Sequence, residues 1–341
     1  MRISQPVRPP PASPTPAVAG GARNAPSKQV AAPAAPAKTD VRVMTFNIRG
    51  LRGIPGIAFD QAKAEQIART IVAQNPDVVM FQEVDRNTAR GAGLDEIDFI
   101  RDRVDALTGK ARGSVTPSDV AFGASLELKS PDGKNDGRYG NAMMTRNGYT
   151  IDGGETATAV KLPGGTVIRD GKERPSEPRT ALVAKVRAPS GKSFTAICTH
   201  LATESDAIRD GQLDTLTALS QQAAKDGPVV LGGDFNQSAL APQIQGFGKK
   251  SGMTEAFSAV GIAPGDARRQ SLVSANPWVD FGRKLTGFLS KLAPSFLHPV
   301  IDHFHHDIDR IYTSGAKVKS AQLVDSQHAT DHDALLSVIE L

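Results

Sequence analysis

The sequence predicts an α/β fold: one domain over residues 40–341, preceded by a tail of residues 1–39. Three observations carry this. Composition changes abruptly at Val41, β-rich runs interleave with amphipathic helical segments through the whole body, and no linker-like stretch divides that body.

Residues 1–39 hold nine of the 23 prolines, ten alanines and no aromatic residue. Such a stretch buries too little apolar surface to offset its ordering entropy, so it reads as disordered. Pro6, Pro9, Pro10 and Pro11 stand where a signal peptide needs its apolar core, so no cleavable signal is expected. Two readings stay open: a plain leader on a cytoplasmic protein, or an uncleaved export signal of the kind bacterial injected effectors carry.

Val41-Arg-Val-Met-Thr-Phe-Asn47 alternates and is β-rich, which predicts the first strand. Asp60 is placed to cap a helix running to about Gln74, with Ala64, Ile67, Ala68 and Ile71 on one face. Asn75-Pro76 ends it, and Asp77–Gln82 is the next strand. Residues 86–138 and 146–178, rich in Gly, Pro, Asp and Lys, read mainly as long loops. Further strands are expected near 181–187, 193–199, 229–232, 309–313, 317–324 and 334–340. A helix at about 206–224 places Leu213, Leu216, Leu219 and Ala223 on one side.

The 341 residues are ample for a buried core. Net charge is +4, but residues 1–40 hold five basic residues and one acid, so the rest carries 35 of each sign. A balanced body produces no long-range field that gathers polyanions. The single cysteine, Cys198, excludes an internal disulfide framework and a cysteine-clustered metal site. No apolar run approaches the ~18 residues that span a bilayer.

Polar and ionisable residues recur where the expected strands stop. Phe46-Asn47-Ile48-Arg49-Gly50 ends the first strand and Phe81-Gln82-Glu83-Val84 the second. Arg138-Tyr139-Gly140-Asn141-Ala142, Thr199-His200-Leu201, Gly233-Asp234-Phe235-Asn236, Ile308-Asp309-Arg310-Ile311 and Thr330-Asp331-His332 follow in order. Each lies beside apolar residues that would anchor it in a core, so a rigid sheet can present all of them to one site. Any one alone is an ordinary turn or capped loop. A run of seven is not.

The series resembles the endonuclease/exonuclease/phosphatase superfamily of deoxyribonuclease-like, metal-dependent phosphoesterases, over about residues 41–341. The resemblance implies a four-layer α/β sandwich, with two mixed β-sheets packed face to face and helices outside. It also implies a divalent metal, usually Mg²⁺ with Mn²⁺ as a substitute, and hydrolysis of a phosphate ester. The chemistry asks for the same residue types. A phosphodiester is anionic and water is a poor nucleophile, so charge must be neutralised and a proton removed. Hard carboxylate oxygens suit Mg²⁺.

By its match to the family, Glu83 is the expected principal metal ligand, with Asn47 beside it; Asp331 is a further candidate ligand. Asp234 resembles the group that activates water or handles the leaving-group proton. Asp234 and Asn236 sit two apart, which in a β-like segment aims both at one face, where Asn236 can hold a phosphate oxygen. His332 with Asp309 resembles the family's Asp–His dyad, in which the carboxylate sets the imidazole tautomer. His200 resembles the second histidine, which contacts or protonates the scissile phosphate. Tyr139 and Asn141 match positions that orient the phosphate. Arg179 is assigned a phosphate contact, against the alternative of a structural salt bridge.

Substrate is less legible, because this fold serves several chemistries. Residues 85–138 carry nine basic and ten acidic side chains, a mixed surface rather than a DNA-binding face. Asp280 can cap a basic amphipathic helix containing Phe281, Leu285, Phe288, Leu289 and Leu292, so residues 278–299 either contact a membrane surface or pack on the sandwich. His303, His305 and His306, with Asp302 and Asp307, read as rim residues. The expectation is a monomeric phosphodiesterase acting on nucleic acid. The alternatives are a phosphatase or phospholipase-C-like enzyme on inositol phosphates or sphingolipid headgroups, and, from another class, a binding module that keeps the fold without turnover. A substrate panel separates all three.

Overall fold

A computed structural model of the chain describes residues 40–53, 58–110, 119–154, 157–273 and 307–341. Strand β1 (Asp40–Asn47) is followed by helix α1 (Gln61–Gln74). Asp60 caps that helix by accepting from the Lys63 N–H, and Asn75 ends it in the left-handed conformation. Then come β2 (Val78–Arg86), α2 (Glu96–Leu107), β3 (Val120–Leu128) and β4 (Gly137–Thr145). Four short strands follow: β5 (Thr150–Asp152), β6 (Thr158–Lys161), β7 (Thr166–Arg169) and β8 (Lys172–Pro175). The remainder is β9 (Thr180–Arg187), β10 (Ser193–His200), α3 (Asp206–Ala223), β11 (Val229–Asp234), α4 (Pro242–Ser251), β12 (Thr254–Glu255), α5 (Ala256–Ala259), β13 (Asp309–Ser314), β14 (Lys317–Val324) and β15 (Ala334–Glu340).

One sheet runs β14-β15-β1-β2-β4-β3, and the other β12-β13-β11-β10-β9-β5, with β6 also on β9; β7 and β8 form a separate hairpin. Both large sheets are mixed: β1 is parallel to β2 and β10 to β11, while the other pairings are antiparallel.

Strand alternation explains the layering. Val41, Val43, Val78 and Met80 face Leu182, Phe194, Ala196, Cys198, Val230 and Ile311 in the core between the sheets. The intervening Met44, Phe46, Val79 and Phe81 face outward against Ile67 and Ile71 of α1 and Ile97 and Ile100 of α2. On the far side Ile197, Leu231 and Tyr312 pack on Leu213 and Leu216 of α3 and Phe247 of α4. This is the four-layer α/β sandwich. Each fully buried Leu, Ile or Phe contributes about 1.5–3 kcal/mol, so the three apolar layers dominate stability. The sheets approach closely at Gly232, where a Cβ would stand 2.7 Å from the Met80 sulfur and force that buried side chain to shift. A Cβ on Gly233 would meet the Thr199 carbonyl oxygen at 2.0 Å.

The described residues of 86–138 and 146–178 hold more regular structure than the loop reading allows. Asp95 caps α2 by accepting from the Ile97 and Asp98 N–H groups, and Ile97, Ile100 and Val104 are buried. Three apolar residues at helical spacing suffice to dock a helix, and the surrounding charges obscured them. β3 and β4 pair along their length with an irregularity between Ala124 and Leu126, which breaks the simple alternation. β5 to β8 are three or four residues each, too short to show a period.

Among the described residues no helix is long and apolar enough to cross a membrane. The 278–299 reading and His303, His305 and His306 lie outside the described residues. Asp307 is described, and it is not a rim residue: it is buried, 3.3 Å from the Arg269 guanidinium.

Candidate active site

Strand register assembles the site. β10 and β11 pair with His200 opposite Asp234, and β11 and β13 with Asp234 opposite Asp309, so three motif residues stand abreast at one sheet end. In the other sheet Asn47 pairs with Gln82, the residue before Glu83. The Asn47 side-chain amide joins the two ends, donating to Glu83 Oε1 at 3.1 Å and to Asp234 Oδ2 at 3.0 Å. The Thr330 hydroxyl donates to the Asn47 carbonyl at 3.0 Å and so sets Asp331 and His332 over the same place.

Glu83 owes its direction to a register shift. β2 follows its alternation to Gln82, whose amide donates across the inter-sheet core to the Cys198 sulfur. Pairing with β4 then slips between Phe81 and Val84, and Glu83 takes φ 57°. A left-handed non-glycine residue costs of order 1 kcal/mol or more and marks a constrained position. Here it turns a carboxylate out of the strand plane into the pocket.

Eight of the eleven residues assigned from sequence line a single pocket of about 540 Å³: Glu83, Tyr139, Arg179, His200, Asp234, Asn236, Asp331 and His332. Asn47, Asn141 and Asp309 stand behind the wall. Asn141 spends its amide on the Thr180 carbonyl, at 2.9 Å. A cavity of about 590 Å³ lies beyond Leu272, lined partly by Phe257, Ile262 and Leu323, and none of the eleven residues reaches it. Chemistry rather than size marks this pocket as the candidate site.

Asn236 departs from the alternation argument. β11 ends at Asp234, and Asn236 is left-handed at φ 49°, its N–H donating to Asp234 Oδ1 at 2.8 Å and its amide to the Leu201 carbonyl at 2.9 Å. This is an Asx-type turn that orients Asp234, not a continued strand.

The two histidines differ in protonation for identifiable reasons. His332 Nδ1 lies 2.7 Å from Asp309 Oδ2. Burial opposes its charge, but the Asp309, Asp234 and Asp331 carboxylates overcome this and push its pKa up to about 10. His200 is held well below the usual range by burial, the Arg179 guanidinium and His332. Arg179 Nη1 lies 3.0 Å from His200 Nδ1 and is a donor without acceptor capacity. His200 Nδ1 is therefore bare, and the proton sits on Nε2. Both Nε2 atoms face Asp234 Oδ2, at 3.5 Å from His200 and 3.6 Å from His332. Burial raises the Asp234 pKa, with Asp309 adding to it against the pull of His332. In ¹⁵N NMR of the metal-free protein, His332 is expected to remain doubly protonated at pH 8, and His200 to be the neutral Nε2–H tautomer at pH 6. A neutral His332 at pH 8 would contradict this electrostatic account.

The donor set fits a hard divalent cation. The Glu83 and Asp331 carboxylates are both at the pocket wall, and each is paired with a guanidinium from the segment after β1: Arg52 to Glu83 at 3.2 Å and Arg49 to Asp331 at 3.2 Å. Ligand atoms of Asp234, Asp309 and His332 also fall within 4.8 Å of one another, and Asp309 Oδ1 is buried without a hydrogen-bond partner. That second group is buried and linked internally through His332 and Asp309, which suits proton handling; Glu83 and Asp331 are the more exposed carboxylates.

Sequence reasoning missed three cations of the site: Arg49, Arg52 and Arg90. Arg49 and Arg52 follow Asn47 by two and five residues, a proximity that was a readable signal. Nothing local distinguishes Arg90 from the other basic residues of 85–138.

A sequence model described as the Endonuclease/Exonuclease/phosphatase family matches residues 44–332. No curated protein matches the sequence. The fold is similar to an endonuclease/exonuclease/phosphatase from Beutenbergia cavernae (19% identity, TM-score 0.57, 89% of this chain and 72% of that one). It is also similar to Danio rerio TDP2 complexed with a single-strand DNA product (15% identity, TM-score 0.51, 89% and 100%). A third likeness is to a mannosyl-6-phosphatase from Bacteroides thetaiotaomicron (13% identity, TM-score 0.56, 88% and 100%).

Proposed function

Because the chain belongs to the endonuclease/exonuclease/phosphatase family, a family of divalent-metal-dependent phosphoester hydrolases, we propose that it is a Mg²⁺-dependent phosphodiesterase acting on nucleic acid. The observation that carries the reading is the convergence of His200 Nε2 and His332 Nε2 on Asp234 Oδ2, at 3.5 and 3.6 Å, beside the Glu83 carboxylate.

In this reading Glu83 and Asp331 hold the cation, oriented by Asn47. When bound, the cation neutralises phosphate charge and polarises the P–O bonds. Asp234, with its raised pKa, accepts the proton of the attacking water. His200 donates from Nε2 to a phosphate oxygen without adding a charge, and its tautomer is held by Arg179. His332, kept as an imidazolium by Asp309, stabilises the charge that grows on the phosphoryl oxygens. The Tyr139 phenol stays protonated, since burial and then Glu83 raise its pKa well above normal, so it is a donor to substrate. Asn236 lines the wall and orients Asp234 through its N–H; a phosphate contact from its side chain is also proposed. Asn141 acts one step back, through the β4–β9 contact.

Nucleic acid is favoured by three guanidiniums that line the pocket, Arg52, Arg90 and Arg179. The likeness to a protein bound to a DNA product supports the same choice. The likeness to a sugar phosphatase supports monoester hydrolysis instead. A monomer is favoured because the large apolar side chains exposed among the described residues are two scattered ones, Leu107 and Ile168. The test is a panel with Mg²⁺ or Mn²⁺: plasmid DNA, RNA, sphingomyelin, phosphoinositides and bis(4-nitrophenyl) phosphate. Cleavage of nucleic acid and the chromogenic diester is expected. Turnover confined to lipid or inositol phosphates would overturn the substrate assignment, and turnover of nothing would leave a binding module.

A further inference from the structure

Arg90 lies in the loop between β2 and α2, far in sequence from every catalytic motif but one, yet its side chain is on the pocket wall. It is held on two sides. Its Nε and Nη2 donate to Asp85 Oδ2 and Oδ1 at 2.8 and 3.0 Å, a bidentate fork. Its guanidinium carbon sits 4.8 Å from the centre of the Tyr139 ring.

The support beneath is rigid. Asp85 is fully buried, and its N–H donates to Glu96 Oε2 at 2.7 Å. Glu96 is itself buried and kept toward its neutral form by burial and by the Asp85 charge. Asp85 thus balances the inner edge of Arg90 and leaves Nη1 without a partner among the described residues. The side chain keeps 36% exposure. Arg52 and Arg179 differ, being paired with Glu83 and Glu177 at the wall itself. Arg90 makes no hydrogen bond or ion pair to His200, Asp234 or His332; its anchors belong to β2 and β4, at the side of a pocket of about 540 Å³, which has room for more than one phosphate. Its immobilisation entropy is already spent, which is the property of an anion receptor.

We propose that Arg90, clamped by Asp85 and Tyr139, binds a second phosphate of the substrate and selects substrates that carry one beside the scissile phosphate. The inference rests on the phosphoester reading of the pocket and deepens it. Asp85 is a positioning residue in this account.

Calorimetric titration of the full chain, with Mg²⁺ present, compares thymidine 3′,5′-bisphosphate with thymidine 5′-monophosphate. The wild type is expected to favour the bisphosphate by about 10-fold or more, as one charge-assisted contact allows. Arg90→Ala brings the ratio close to 1, and Arg90→Lys keeps part of it, because the charge stays while the fork is lost. Removing Arg90 alone strands a buried carboxylate, so the pair Arg90→Gln with Asp85→Asn is measured as well, with melting temperatures for all. An unchanged ratio in the folded variants, or no bisphosphate preference in the wild type, overturns the role of Arg90. Failure of the wild type to bind either nucleotide would instead remove the phosphoester reading beneath it.

Discussion

Folded His332→Ala is expected to hydrolyse a phosphodiester about 10²–10³-fold more slowly than the wild type, the range typical of losing one preorganised donor to developing charge. The Nδ1 contact to Asp309 at 2.7 Å holds the ring in one orientation, and Asp309 is itself fixed by its N–H donating to the Ser271 hydroxyl at 3.1 Å. The surrounding carboxylates keep the imidazole charged despite full burial. Asp309→Asn removes the negative charge but nearly preserves shape, so much of the same activity should go. Groups that act as one unit are non-additive, and the double variant should be little worse than His332→Ala alone. If the pair only braces the end of β13, the variants would instead melt earlier and keep near-normal kcat at low temperature, with independent effects. His332→Gln is the milder control, since its amide still fills the space and can donate to a carboxylate, whereas alanine leaves Asp234 and Asp309 with nothing between them. Near-normal kcat in folded His332→Gln and His332→Ala would take the residue out of the mechanism.

Chelation is expected to abolish hydrolysis and added Mg²⁺ or Mn²⁺ to restore it. The physical ground is the Glu83 and Asp331 carboxylates, both at the pocket wall and each balanced by a guanidinium, Arg52 and Arg49. Glu83→Gln removes the charge at the residue whose φ of 57° aims it into the pocket, and Mn²⁺ affinity by calorimetry should fall about 10–100-fold or more. A ligand that binds the folded state raises its stability, so Mn²⁺ should lift the melting temperature of the wild type and not of Glu83→Gln. Full activity in metal-stripped protein would refute the mechanism. Activity that needs metal but ignores Glu83→Gln would move the cation to the Asp234, Asp309 and His332 group.

Much of the scaffold was legible because local pattern and tertiary role coincide there. Asp60, the apolar stripe of α1 and the Asn75-Pro76 stop form a complete helix signal, and the structure uses each part. α2 was not legible, since its three buried apolar residues are outnumbered by charges whose docking against α1 and β2 no local window reveals. Glu83 and Asn236 were found as residues but not as conformations. A strand-period argument assumes the strand continues, and both sit where it does not.

The sequence by itself determined the chemical inventory of the candidate site and its order along the chain: Asn47, Glu83, Tyr139, Asn141, Arg179, His200, Asp234, Asn236, Asp309, Asp331 and His332. Side-chain identity and short-range periodicity are properties of the chain alone, and they suffice to name strands and the polar residues that end them. The tertiary structure decided which of those residues share a wall, which support it from behind, and which protonation state each histidine holds. Those are consequences of register between strands distant in sequence and of burial beside particular charges. His200 and His332 have the same ordinary pKa; burial with the Arg179 guanidinium beside one, and the Asp309, Asp234 and Asp331 carboxylates around the other, drive them apart. Arg90 makes the same point, since one basic residue among several becomes part of the pocket through the Asp85 carboxylate and the Tyr139 ring that hold it there.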